Sequence, residues 1–216
     1  MAEALRLVLA SNNAKKLSEM QALFAALPLQ LVPQGALGIP EADEPHHTFI
    51  ENALVKARQA ARLSGGAAMA DDSGLCVDAL GGAPGVVSAH YGGEVVFDGE
   101  REQRRAVQDA TNNQRVLAEL AQRRAPGERR AAFLCTLVAI RHADDPEPLV
   151  AVGRWPGELL TAPRGHQGFG YDPLMFIPAL GCTVAELDAA TKNRHSHRAR
   201  AAARMVALMQ EAWHLG

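Results

Sequence analysis

A strand, a short polar loop and a helix follow one another near the start of the chain, and this succession constrains the fold most strongly. Residues 5–10, Leu-Arg-Leu-Val-Leu-Ala, are typical of a buried strand. Apolar side chains at helical spacing follow from Leu17 to Leu27. Strands that alternate with helices predict an α/β protein, and such folds usually bind ligands in the loops that follow their strands.

Further strands and helices alternate along the rest of the chain. A capping box at Thr48 and Glu51 predicts a helix that runs to about Ser64. A short strand over residues 67–70 is expected to stop at 71–74, Asp-Asp-Ser-Gly, which has the composition of a turn. The other predicted elements are a helix over 109–122, paired strands over 131–141 and 149–155, a strand over 174–177, and a final helix from Ser196 to near Trp213.

The composition fits a globular protein of the cytoplasm. Of the 216 residues 48% are hydrophobic, which is enough to bury a core as a single domain over 1–216. The longest apolar stretch, residues 131–140, is too short to cross a bilayer, which needs about 20 residues. No export signal is visible. Cys76, Cys135 and Cys182 are widely separated and suggest neither disulfides nor a zinc site.

The basic residues are scattered, and the formal net charge is -2, so no nucleic-acid-binding face is expected. Lysine is scarce among the 22 basic residues. The lysines are Lys15, Lys16, Lys56 and Lys192. In a chain that uses arginine almost everywhere else, a lysine suggests a place that needs a compact ammonium group.

The loop after the first strand is a candidate phosphate-binding segment. Its residues are Ser11, Asn12, Asn13, Ala14, Lys15 and Lys16. Backbone N–H groups at the start of the helix, the asparagine side chains and two ammonium groups can all face an anion there. The alternative is an ordinary helix cap with solvated lysines. The segment is not a Walker A loop, because the chain has no Gly-x-x-x-x-Gly-Lys.

Two acidic segments are candidate magnesium ligands. Asp43 and Glu44, with Glu41 nearby, precede the capped helix, and Asp71 and Asp72 follow a strand. Carboxylates from two such places can share a divalent cation that also holds phosphate oxygens. Alternatively, the first group favours the helix dipole and the second makes a turn.

Other polar residues are candidates for contacts with a triphosphate or a planar base. Asn52 and Lys56 are four residues apart and share one face of the capped helix. This face points either toward the phosphates of a ligand or, alternatively, toward water. Residues 168–173, Gly-Phe-Gly-Tyr-Asp-Pro, suit stacking and edge recognition of a base, or else form a packed aromatic turn. Hydrogen-bond donors cluster near the last helix, on Lys192, His197 and Arg198. The alternative is a capped helix whose basic first turn is solvated.

Taken in order, these segments resemble the inosine triphosphate pyrophosphatase family, whose members remove non-standard purine nucleoside triphosphates. The resemblance covers nearly the entire chain and is carried by residues 11–16, 48–53 with 56–57, 70–75, 81–85, 168–173, and 192–193 with 196–198. It implies an elongated mixed β-sheet flanked by helices, with two lobes around a central substrate cleft. It also implies a homodimer that uses magnesium to hydrolyse ITP, dITP, XTP and dXTP.

The resemblance assigns roles by position. Residues 11–16 would hold phosphate, Asp72 would be the general base or a metal-linked carboxylate, and Ser73 would contact the substrate. Around the base and sugar would lie Phe169, Gly170, Tyr171, Asp172, Lys192, His197 and Arg198. The metal ligand before the second helix stays open among Glu41, Asp43 and Glu44, with Asp43 or Glu44 preferred.

Three positions depart from the family pattern. Asn12 and Ala199 stand where glycine is usual, and His90 stands where arginine is common.

The predicted reaction is attack of an Asp72-activated water at phosphorus, with release of pyrophosphate. Donors on Lys192, His197 and Arg198 would select the purine 6-oxygen over the amino group of adenine. Two alternatives are a regulatory protein that binds the triphosphate without cleaving it and a pyrophosphatase for pyrimidine nucleotides.

Overall fold

A computed structural model describes residues 4–123 and 127–215, without the side chains of Lys15 and Arg101. Its strands are β1 (Leu5–Leu9), β2 (Leu29–Pro33), β3 (Ala67–Val77), β4 (Arg130–Ile140), β5 (Leu149–Leu159), β6 (Met175–Ile177) and β7 (Cys182–Thr183). Its helices are α1 (Ala14–Leu23), α2 (Phe49–Ser64), α3 (Arg101–Glu119), α4 (Ala189–His195) and α5 (His197–Ala212). The strands form one sheet in the order β2-β1-β3-β4-β5-β6-β7, which confirms the predicted α/β class.

Parallel pairing brings the polar loops after β1 and β2 beside the middle of β3. β1 lies between β2 and β3 and runs parallel to both, with Leu7 opposite Leu31 and Ala67. The N–H of Ala10 donates to the carbonyl of Met69 at 2.8 Å, so the pairing continues one residue beyond β1. The loops after β1 and β2 therefore leave the sheet on the same side, next to the residues of β3 that follow Met69, and α/β folds bind ligands at this end of parallel strands.

The other end of the sheet is antiparallel. β6 runs antiparallel to both β5 and β7, which makes the sheet mixed. β4 and β5 are neighbours, as predicted for the strands over 131–141 and 149–155. Alternate residues of β5 are buried from Leu149 to Trp155, as expected for a strand that packs one face on a core.

The chain divides into two compact units, each with its own core. Within the described residues, the first unit contains 4–72, 135–153 and 196–215, and the second contains 73–123, 127–134 and 154–195. The first unit packs α1 and α5 against strand residues such as Leu7, Leu9 and Met69, and α2 packs its alanines in a separate cluster. In the second unit Trp155 and Leu174 lie in one apolar cluster.

Side-chain caps begin α2 and α5 where the sequence predicts them. Thr48 Oγ1 accepts the N–H of Glu51 at 3.3 Å and donates to its carboxylate at 2.6 Å. Ser196 Oγ accepts the N–H of Ala199 at 3.1 Å. These caps fix the first turns of two helices that carry candidate site residues.

The predicted turn at residues 71–74 is wrong, because β3 continues through it to Val77. Asp71 and Asp72 are buried in the strand, where both interact with lysines, so tertiary contacts outweigh the local turn preference. Helix α3 also begins earlier than predicted, at Arg101 instead of Asp109. β2, β7 and α4 were not predicted.

None of the helices in the described residues is both long enough and apolar enough to span a membrane.

Candidate functional site

A polar cavity of about 190 Å³ lies in the first unit, where the carboxyl ends of β1 and β2 meet the middle of β3. Its walls combine lysines with carboxylates. They are formed by Ala10, Ser11, Lys16, Gln34, Glu41, Ala42, Glu44, Lys56 and Asp71. The strand order therefore brings two of the predicted phosphate-binding lysines into the same cavity as predicted acidic residues.

The predicted phosphate loop also caps helix α1. Ser11 Oγ accepts the N–H of Asn13 at 3.2 Å, and Asn13 Oδ1 accepts the N–H of Lys16 at 3.2 Å. The exposed Asn12 donates to Glu41 at 3.3 Å. Ala14 is the first residue of the helix, and the side chain of Lys15 lies outside the described part. Thus the cap that the sequence offered as an alternative is present, and Lys16 nevertheless lines the cavity.

Asp71 is the centre of a buried charge network. Its carboxylate is 2.8 Å from the Lys16 ammonium and 4.0 Å from Arg198 Nε. Burial alone would raise the pKa of Asp71, but Lys16 and Arg198 outweigh burial and hold the pKa well below its usual range. Asp71 is therefore a permanent anion that fixes the Lys16 ammonium at the cavity.

Asp72 lies in a different electrostatic environment. Burial raises the pKa of its carboxyl group, and Glu44 acts in the same direction, whereas Lys56 and a hydrogen bond with Asn52 oppose the rise. The Lys56 ammonium is 3.7 Å from Asp72 and 2.9 Å from Glu44. The Asn52 side chain also forms two hydrogen bonds with the backbone of His46: it accepts the N–H at 3.0 Å and donates to the carbonyl at 3.2 Å. A carboxylate with a raised pKa, next to a cation, is suited to accept a proton near neutral pH.

The donor chemistry of this cluster fits magnesium. Glu44 and Asp72 already share one cation, the Lys56 ammonium, and their oxygens are hard ligands. Within residues 4–123 and 127–215, no group of three or more His, Cys, Asp or Glu side chains is arranged to hold a metal. Magnesium is usually bound by one or two carboxylates together with substrate phosphates, and Glu44 and Asp72 are two such carboxylates. Asp43 is exposed and lies outside the cavity lining, whereas Glu41 and Glu44 belong to it.

Arg198 is buried, so its guanidinium is not part of a solvated first turn. It is 3% exposed and donates to Glu19 of α1 at 2.7 Å. Burial would lower the pKa of Arg198, but Asp71 and Glu19 among its neighbours raise it. His197, the first residue of α5, is also buried.

The second unit contains the other predicted group. Asp172 accepts the Lys192 ammonium at 2.7 Å and the N–H of Phe169 at 3.0 Å. The same ammonium lies 4.8 Å from the centroid of the Phe169 ring. Tyr171 is buried and donates to the carbonyl of Ser88 at 2.8 Å, and burial raises the pKa of its hydroxyl. Tyr171 therefore packs in the core, while Phe169, Asp172 and Lys192 form a polar cluster.

Two other predicted positions lie beside these groups in the chain. Gly170 stands between Phe169 and Tyr171 with φ 62°, and Ser73 is half-buried in β3.

Sequence reasoning missed Glu19 and Gln34. Glu19 lies three residues after Lys16 on α1, so the helical spacing placed both on one face. Gln34 is buried directly after β2, a strand that was not predicted, and the sequence offered no signal for its position at the cavity.

The parallel strands and the cavity, whose walls combine two lysines with three carboxylates, define an α/β protein with a site for phosphate groups held together with a divalent cation. The chain belongs to the Ham1 family, whose model matches residues 7–208. It is 66% identical over 209 residues to the dITP/XTP pyrophosphatase of Methylibium petroleiphilum, covering 97% of this chain and 99% of that one. The dITP/XTP pyrophosphatase of Leptothrix cholodnii is 67% identical, with 98% and 100% covered.

A solved structure has the same fold. The HAM1 protein from Coxiella burnetii superimposes with a TM-score of 0.86 at 41% identity, covering 96% of this chain and all of that one. The family predicted from the sequence motifs is thus confirmed.

Proposed function

We propose that this protein hydrolyses ITP, dITP, XTP and dXTP to the monophosphate and pyrophosphate. The observation that carries the proposal is a cavity lined by Lys16, Lys56 and Asp71, with Asp72 beside it in contact with Lys56, in a member of the Ham1 family. The relatives named dITP/XTP pyrophosphatase, at 66% and 67% identity, support it. Such an enzyme keeps non-standard purine nucleotides out of DNA and RNA.

The triphosphate is proposed to bind along residues 11–16 and the two cavity lysines. The loop leads into the N-terminus of α1, where the helix dipole adds positive potential that favours an anion. The side chains of Lys16 and Lys56 are 24% and 11% exposed, so each ammonium is partly desolvated but can reach a ligand. Partial burial strengthens their attraction for phosphate oxygens.

Asp72 is the proposed general base. It takes a proton from water as the water oxygen attacks phosphorus, the bond between the α- and β-phosphates breaks, and pyrophosphate leaves. Magnesium held by Asp72 and Glu44 would neutralise charge on the phosphate oxygens. Asn52 keeps the Asp72 carboxylate in place, and Lys56 links it to Glu44. Ser73, the next residue of β3, is a proposed substrate contact.

Base selection is proposed to use two kinds of contact. Phe169 offers a ring for stacking, beside Gly170, Tyr171, Asp172 and Lys192. Separately, His197 and Arg198 are the proposed donors to the purine 6-oxygen. Arg198 is 3% exposed and donates to Glu19, so this role requires that it exchange Glu19 for the base. Adenine carries a 6-amino group in place of this oxygen. Because that group is also a donor, the protein N–H groups would be left without an acceptor, which disfavours adenine.

The test is pyrophosphate release from ITP, XTP, dITP, GTP, ATP and dTTP, with and without magnesium. We expect magnesium-dependent cleavage of ITP, dITP and XTP, and a loss of at least about 100-fold in kcat for Asp72→Asn. Asp144→Asn is the matched control, because Asp144 is exposed in the turn between β4 and β5.

Each other outcome contradicts a defined part of the proposal. Binding of ITP without cleavage would favour a regulatory protein, and a preference for dTTP would favour a pyrimidine pyrophosphatase. Normal turnover by Asp72→Asn would remove Asp72 from the role of base.

We also propose that the protein acts as a homodimer in the cytoplasm and that residues 1–216 are one functional domain. The family resemblance supports the dimer, and light scattering during gel filtration measures the mass that decides it.

A further inference from the structure

The backbone of the segment 168–172 depends on contacts with other elements to hold its conformation. Gly168 and Gly170 have φ angles of 82° and 62°, in the left-handed region that favours glycine. A β-carbon on Gly168 would lie 2.0 Å from Asp172 Oδ2, so the turn is also tight. Glycine gives the backbone more conformational freedom than other residues do. The position of Phe169, which lies between Gly168 and Gly170, therefore depends on contacts that hold these two neighbours.

Helix α3 supplies contacts to both backbone groups of Gly170. Asp109 Oδ2 accepts the N–H of Gly170 at 2.7 Å, and Asn113 Nδ2 donates to its carbonyl at 2.8 Å. Asp109 and Asn113 are four residues apart, so they lie on one face of α3. The N–H bond to a carboxylate is charge-assisted and is stronger than a bond between neutral groups.

The same face of α3 reaches the Phe169 ring. Arg105, one turn before Asp109, places its guanidinium carbon 4.8 Å from the ring centroid. Lys192 reaches the ring at the same distance and is itself held by Asp172. Arg105, Asp109 and Asn113 therefore contact the aromatic ring and the residue after it from three successive turns of one helix.

We propose that Asp109 is a positioning residue for base recognition, which fixes Gly170 and thereby holds Phe169 in the orientation that stacks on the nucleobase. Arg105 and Asn113 of the same helix face assist it. The inference rests on the proposed function, because that function places the base on Phe169. A stacking surface that is ordered before binding spares the complex the entropy of ordering it.

The test compares Asp109→Ala with Asp109→Asn. For Asp109→Ala we expect the KM for ITP to rise about tenfold while kcat changes less than about twofold, because base binding weakens and the chemical step is retained. Inhibition by IMP should weaken similarly, whereas inhibition by inorganic tripolyphosphate, which has no base, should be unchanged. Asp109→Asn retains a side-chain oxygen for the Gly170 N–H and should restore most of the KM.

Gln114→Ala, an exposed position on α3, is the matched control and should behave as wild type. Hydrogen exchange at the Gly170 amide gives a second readout that needs no activity, and it should become faster in Asp109→Ala. If Asp109→Ala fails to fold, Asn113→Ala is expected to raise the KM in the same way.

An unchanged KM in folded Asp109→Ala, or in Asn113→Ala if it replaces that variant, would overturn the inference. The inference would also be overturned if Asp109→Asn did not restore the KM for ITP, or if hydrogen exchange at the Gly170 amide were the same in Asp109→Ala as in wild type. If wild-type protein cleaved no purine triphosphate, the proposed function would fail, whereas the exchange measurement would still report whether Asp109 holds Gly170.

Discussion

Strand β5 and helix α5 meet at Gly153 so closely that no side chain fits between them. A β-carbon on residue 153 would lie 1.9 Å from the carbonyl oxygen of His197 and 2.6 Å from the backbone nitrogen of Ala201. Ordinary van der Waals contact begins at 3.4 Å, and both neighbours are backbone atoms, so no side-chain rotation relieves the clash. In Gly153→Ala, α5 must therefore move away from β5 by more than 1 Å, by roughly the shortfall in contact distance.

Overpacking of this kind costs about 1–3 kcal/mol, and the rigid neighbours place Gly153→Ala near 3 kcal/mol. For a chain of this size, 1 kcal/mol lowers Tm by about 2–4 °C, so we expect a loss of about 6–12 °C. Because α5 begins at His197 and contains Arg198, its displacement should also lower kcat/KM for ITP by about tenfold or more.

Gly66→Ala is the matched control for a thermal melt and a urea titration. Gly66 precedes β3 in the same unit, its added β-carbon would have no atom within 4 Å, and its φ is not in the left-handed region. We expect its Tm to equal or slightly exceed that of wild type. If the two variants melted within about 2 °C of each other, the close approach of α5 to β5 would not be the source of the cost.

Three further substitutions test local contacts. Asp145→Ala should lower the free energy of unfolding by about 2 kcal/mol at pH 7, because the N–H groups of Arg141 and Glu147 lose an acceptor. Hydrogen bonds from Arg141 lower the pKa of Asp145 below its unfolded value, so the difference in stability between wild type and variant in urea titrations should shrink progressively as the pH falls below about 4. Thr48→Ala removes the N-cap of α2 and should cost about 1 kcal/mol by the same assay. Gly168→Ala should raise the KM for ITP by about tenfold, measured by pyrophosphate release, because its β-carbon would displace a loop carboxylate.

Local chemistry explains which parts of the fold were predictable. The starts of α2 and α5 were found because Thr48 and Ser196 cap them with atoms only three residues away. The end of β3 was mispredicted because Asp71 stays in the strand through Lys16, a residue far away in the sequence. β2 is only five residues long and acquires its identity from pairing with β1, which a short pattern does not encode.

The residues of the candidate site also divide into those that the sequence predicted and those that it missed. The scarcity of lysine pointed to Lys16, Lys56 and Lys192, and all three pair with carboxylates in the structure. Glu19 and Asp109 were missed because each matters through a partner on another element, Arg198 for the first and Gly170 for the second. Roles that depend on such tertiary neighbours are not visible in residue type or spacing.

The two aspartates of β3 show why the length of this strand is as constrained as its composition. Side chains of consecutive strand residues point to opposite faces, and Asp71 meets Lys16 while Asp72 meets Lys56. Insertion or deletion of one residue between Ala67 and Asp71 would exchange the faces of the two carboxylates without changing either of them. The number of residues in this segment therefore decides which aspartate pairs with Lys16 and which one, the proposed general base, lies on the opposite face beside Lys56.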